Sequence, residues 1–100
     1  MGSGVKVPVV DRSGDYTIYY EGLETPIGLM TFVHCDLHTR WSGAIKNKLR
    51  DDFESLLALR HEPLYCLRHD NKQEKFIRMF GFRYSYGIPE HGVDVYILEI

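Results

Sequence analysis

Three side chains suited to acid–base work fall at every second position of one short stretch: His34, Asp36 and His38 in Val33-His-Cys-Asp-Leu-His38. Alternate residues of an extended chain share a face, so all three project together. Imidazole titrates near neutral pH and can relay a proton. Two histidines with a carboxylate are also a known metal-ligand set. A third reading of the same residues is a polar strand end with an aspartate-initiated turn. No metal is expected. His61, His69 and His91 are isolated in the sequence and read as surface residues. Cys35 and Cys66 both sit in apolar runs. A nucleophilic thiol needs exposure and a nearby histidine, so both read as small buried hydrophobes.

The elements that must position these groups follow from periodicity. Val5–Val10 is apolar but carries Pro8, which limits it to an edge strand. Residues 1–14 read as a flexible N-terminus with this edge strand, and 15–100 as one domain. Asp15–Glu21 is β-branched and aromatic and reads as a strand. Tyr16, Ile18 and Tyr20 share one of its faces; Thr17, Tyr19 and Glu21 share the other. Gly22–Pro26 reads as a turn. The near-continuous apolar run Ile27–Cys35 reads as a strand buried on both faces. Trp41, Ile45, Leu49, Phe53 and Leu57 then fall four apart, with Ala44, Leu56 and Leu59 widening the stripe. That periodicity predicts a helix over Thr39–Arg60, stopped before Pro63. Leu64–Arg68 follows as a strand, parallel to Ile27–Cys35 across the helical crossover. Asp70 or Asn71 caps a second helix, Asn71 and Glu74 forming a capping box, and Gly81 closes it. Phe82–Tyr86 and Val93–Ile100 are the last strands. The fold class is α/β (α+β), a mixed sheet in the order β-β-α-β-α-β-β with two helices.

Composition narrows the function classes. The 100 residues are 44% apolar and carry 12 basic against 14 acidic side chains, a net charge of −2. This suits a single packed core and argues against nucleic acid or an acidic membrane as partner. No apolar run approaches the ~18 residues that span a bilayer. Two cysteines without a signal sequence suit a reduced, cytoplasmic setting.

The element order resembles the core of the GNAT superfamily of N-acetyltransferases, with the N-terminal part reduced. Asn71-Lys-Gln-Glu-Lys-Phe-Ile-Arg-Met-Phe-Gly81-Phe82 is similar to that family's late helix, which begins near an Asn and ends in Gly-Phe. Together with Tyr65-Cys-Leu-Arg-His-Asp-Asn71, it is more similar still to small acetyltransferase-like proteins of podoviruses, including internal virion proteins.

The resemblance implies acetyl-CoA as cofactor, lying in a V between two splayed parallel strands, here Ile27–Cys35 and Leu64–Arg68. Its pyrophosphate would sit at the N-terminus of the long helix, where free N–H groups and the helix dipole favour an anion. The family signature there is [Gln/Arg]-x-x-Gly-x-[Gly/Ala]. Arg40-Trp-Ser42-Gly43-Ala44-Ile45 matches at Arg40 and Gly43, with Ile45 in place of Gly or Ala. Cofactor contacts are implied for Arg40, Ser42, Gly43, Ala44 and Asn71; the base that amine acetylation needs would come from His34, Asp36 and His38, the alternating residues at the end of the central strand. Lys46, Lys48 and Arg50 read as a solvated helix face. Many members place an acidic Tyr four residues before the late Gly; here that residue is Ile77.

Two functions follow as expectations. One is an acetyl-CoA-dependent N-acetyltransferase acting on a host protein or a small amine. The other is a catalytically degenerate binding protein, a modulator of a host bacterial enzyme or a virion component. The exposed edges of a truncated sheet would also suit a homodimer.

Overall fold

The computed structural model describes residues 5–26, 28–69 and 71–99, and the side chains of 71–74 are outside that description. It forms a six-stranded mixed sheet with two helices. The strands are β1 Lys6–Arg12, β2 Tyr16–Thr25, β3 Gly28–Leu37, β4 Leu64–Arg68, β5 Arg83–Ile88 and β6 Val93–Leu98. The helices are α1 Gly43–Ala58 and α2 Asn71–Met79, and a short 3-10 turn, Pro89–His91, precedes β6. The spatial order is β1-β2-β3-β4-β6-β5, and among the described residues only β3 and β4 pair in parallel.

Strand alternation sorts the core into two clusters. On one face, Tyr16, Ile18, Val33, Leu64, Tyr96 and Leu98 pack with Ile45, Leu49 and Phe53 of α1 and Ile77 of α2. On the other, Leu23, Met30, Phe32 and Val95 form a smaller cluster edged by Tyr65, Leu67, Tyr86 and Ile88. Both helices therefore cover the same side of the sheet. The apolar middle of β3 is buried on both faces, as its composition predicts.

Several boundaries differ from expectation. β1 tolerates Pro8 because it is an edge strand with a register shift between Pro8 and Val10. β2 and β3 run on through Gly22–Thr25 and Asp36–Leu37, because one hairpin register extends unbroken from Tyr16↔Leu37 to Thr25↔Gly28. The predicted helix over Thr39–Arg60 is shorter at both ends. Ser42 is extended (φ −151°, ψ 168°), and its Oγ accepts the Ile45 N–H at 3.2 Å, so α1 starts at Gly43. At the other end Leu59 caps the helix and is 84% exposed. Ala44 is exposed too, so the buried stripe is Ile45, Leu49 and Phe53, with Leu56 and Leu57 at its margin. Trp41 lies ahead of the helix and packs edge-on against Phe76 of α2 at 5.3 Å and against Phe80 at 6.4 Å.

Gly81 has φ +90°, the left-handed conformation expected after α2, and a Cβ there would meet Leu98 Cδ1 at 3.3 Å. The expected Asn71–Glu74 capping box, Asp70, and residues 1–4 lie outside what is described.

Candidate functional site

The two edges of β3 are treated differently. Toward β2 it is paired along its whole length. Toward β4 a single aligned pair, Phe32↔Tyr65, joins the strands before they diverge. β4 turns its other edge to β6, from Leu64↔Leu98 to Arg68↔Asp94. Between the diverging ends lies a cavity of about 730 Å³.

Six successive residues, Val33 to Leu37 of β3 and His38 just after it, line this cavity. A strand presenting one face would contribute every second residue. A continuous run means that β3 offers its edge, backbone amides and carbonyls included. Cys66, Leu67 and His69 line the β4 side, and Phe53, Phe76, Ile77, Phe80 and Phe82 form the apolar floor and walls. Backbone donors and acceptors along a slot walled by aromatic side chains suit an extended ligand that carries amides on an apolar chain.

The three predicted acid–base residues all line the cavity, but each has its own surroundings. His34 is half-buried, with Nε2 2.8 Å from Glu21 Oε1. His38 is exposed; its backbone N–H donates to Asp15 O at 2.8 Å and its Nε2 lies 2.8 Å from Thr17 Oγ1. The buried Thr17 hydroxyl also donates to Asp11 Oδ1 at 3.2 Å. Asp36, cross-strand from Thr17, is exposed. Among the described residues no group of three or more His, Cys, Asp or Glu is arranged to hold a metal ion. The metal reading of His34, Asp36 and His38 is therefore set aside: the histidines turn to different partners on β2.

Cys35 and Cys66 are half-buried on the two walls. Burial pushes the Cys66 thiol up to about 11. Burial, with the negative charge of Asp36 and the second thiol adding to it, pushes Cys35 up to about 12. Both are poor nucleophiles near neutral pH.

The residues implied at the helix N-terminus lie beside the cavity. Arg40, Ser42, Gly43 and Ala44 are exposed and outside its lining; Trp41 connects them to it through Phe76 and Phe80. Asn71 begins α2. Ile45 does not crowd this terminus. Its side chain is 5% exposed and faces the core, although its N–H is already taken by Ser42. No acidic residue occupies the first turn. Lys48 is paired with Asp15 at 2.8 Å, and Arg50 lies at a smaller groove with Glu54, so neither approaches the cleft.

Comparison with protein-family models, with curated proteins and with solved structures returns no match to this chain.

Glu21, Thr17 and Asp11 were not legible as site residues. The signals that bring them in are the β1–β2 and β2–β3 registers, which need the turn lengths, and Gly22–Thr25, which read as turn in the sequence, are strand. Ile77 lines the cavity and is 4% exposed, so the position of the expected acid carries an apolar wall. Tyr84 is outside the cavity, 52% exposed and packed on Tyr96. Tyr86 is also outside it, its hydroxyl donating to Met30 Sδ at 3.6 Å.

Proposed function

We propose that this chain is a GNAT-like, acyl-CoA-dependent N-acetyltransferase of the small phage type, acting on an amine of a host protein or a small molecule. The observation that carries the reading is the divergence of the parallel pair β3 and β4 after Phe32↔Tyr65, with the cavity between them. Acyl-CoA, when bound, supplies a thioester whose C–S bond breaks as the C–N bond to the amine forms.

The chain's own residues have three tasks. The open edges of β3 and β4 hold the amide-bearing arm as an added strand. Phe53, Ile77, Phe80 and Phe82 keep water from the acyl end. A base among His34, Asp36 and His38 takes the proton that an ammonium must lose before it can attack. Ile77 cannot give a proton to the departing thiolate, so solvent supplies it.

Ile77 also favours a second reading, a degenerate member that binds acyl-CoA or a host protein without turnover. Titration with acetyl-CoA tests both. Trp41 packs on two lining residues, so its fluorescence should change on binding. At a hundred times the dissociation constant, a ligand adds about 2.7 kcal/mol, which raises the Tm of a domain this size by roughly 10 °C or more. An unchanged Tm and an unchanged Trp41 spectrum at millimolar acetyl-CoA would sink the acyl-CoA reading. Binding without thiol release in the presence of polyamine and lysine-peptide acceptors selects the degenerate reading.

A further inference from the structure

His34 and Glu21 form a pair that the resemblance does not assign. They lie on the sheet face away from the helices, on neighbouring strands, Tyr19 standing directly across from His34. The His34 side chain is 27% exposed and that of Glu21 16%. A carboxylate can only accept, so the ring nitrogen 2.8 Å from it, Nε2, carries a proton. In the neutral ring this leaves Nδ1 as the sole acceptor. His34 is also the first ionisable residue of β3 beyond the last aligned pair, Phe32↔Tyr65, and it lines the cleft. His38, in contrast, stands exposed at the rim and is anchored to Thr17 and to the Asp15 carbonyl.

We propose that His34 is the catalytic base of the transfer reaction and that Glu21 is its positioning residue. This rests on the acyltransferase reading above. The ammonium of the acceptor gives one proton to His34 Nδ1, and the free amine forms the C–N bond as the thiolate leaves. The second proton is lost from the new amide nitrogen to solvent, the imidazolium gives up its proton to solvent, and the thiolate takes one back. The Glu21 carboxylate holds the ring in the Nε2–H tautomer and stabilises the imidazolium. The titratable groups around His34 are Tyr19 and Glu21 of β2 and, lining the same cavity, Cys35 and Asp36 of β3, His38 after it, Cys66 of β4 and His69.

The experiment joins kinetics to NMR of the imidazole nitrogens in the intact, ligand-free chain. His34→Gln is expected to lower kcat about a hundredfold or more while acetyl-CoA still quenches or shifts Trp41 fluorescence. Glu21→Gln removes the charge that favours the imidazolium. Its kcat therefore falls while its KM for acetyl-CoA is unchanged, a split that a purely structural role would not produce. In the ligand-free chain, long-range proton–nitrogen spectra should show the Nε2–H tautomer at neutral pH. An Nδ1–H tautomer, or a His34→Gln enzyme within a fewfold of the parent, overturns the assignment and leaves the acyltransferase reading standing. A parent chain that binds acetyl-CoA but releases no thiol overturns both the transfer and its base.

Discussion

The two edges of β3 show how one strand can serve as both foundation and site. Toward β2 it is zipped along its whole length, with Ile18 and Tyr16 fully buried beside it. Toward β4 it is pinned at Phe32↔Tyr65 and then released. Side-chain composition does not separate the two edges, because a strand's edges are backbone. What separates them is the neighbour. β2 follows β3's register through a tight hairpin, whereas β4 arrives after a helix and is held by β6 on its far side. A backbone edge left open inside a domain is costly unless something pairs with it, and this is why the cleft, not the core, reads as the functional region.

The comparison can be broken or sharpened by measurement. The largest expected effect concerns the cleft walls. With its thiol pushed up to about 12 from an ordinary 9.0, Cys35 should hold roughly a thousandfold less thiolate near neutral pH than a free cysteine. Disulfide-reagent kinetics on the native chain should show correspondingly slow labelling of Cys35, and somewhat faster labelling of Cys66. Labelling at the rate of a free thiol would mean that the open edge is wet and that an apolar ligand slot is the wrong description.

The zipped edge should dominate stability. Ile18→Ala removes a fully buried side chain and should cost about 2–5 kcal/mol in urea denaturation. Cys35→Ala, at the cavity wall directly across from Ile18, should cost about 1 kcal/mol or less. Equal losses would erase the distinction between foundation and site.

A smaller effect is expected where β1 and β2 meet α1. Arg12 bonds both carboxylate oxygens of Asp52, at 2.7 and 2.8 Å, and the Tyr16 phenol donates to the same group. The Arg12 hydrogen bonds hold the Asp52 carboxyl below its ordinary 3.8, with Tyr16 adding to them. Burial, then the hydrogen bond to Asp52, pushes the Tyr16 phenol well above 10.0. The unfolded chain binds more protons than the native one just below pH 3.8, so Asp52's contribution is complete above that pH and is lost as the pH falls. The native chain binds more protons above pH 10.0, so Tyr16's contribution is complete below that pH and is lost as the pH rises. Tyr16→Phe should cost roughly 0.5–1.5 kcal/mol at pH 7. It should also flatten the alkaline limb of a Tm-against-pH curve while leaving most of the acid limb, which Arg12 governs. An unchanged alkaline limb would show that this contact contributes nothing.

Much of the frame was legible because it depends on periodicity. The alternation of Tyr16, Ile18 and Tyr20, the four-residue spacing of Ile45, Leu49 and Phe53, and the left-handed Gly81 are local features, and each keeps its role in the fold. The ends of α1 were less legible. Trp41 continues the helical spacing in sequence, yet the Ser42 side chain satisfies the Ile45 N–H and ends the helix before it. Trp41 then turns to α2, a contact with no local signature.

The sequence by itself determined that His34 and Asp36 share a side of one strand, since alternation is a property of the backbone. It also determined that Ile77 cannot donate a proton, whatever surrounds it. Only the tertiary structure decided which of these residues has a partner. Glu21 meets His34, and Thr17 meets His38, because a hairpin register brings residues 13 and 21 positions apart into hydrogen-bonding range. Register is a cooperative outcome of turn length and of the buried faces of two strands. No single residue encodes it.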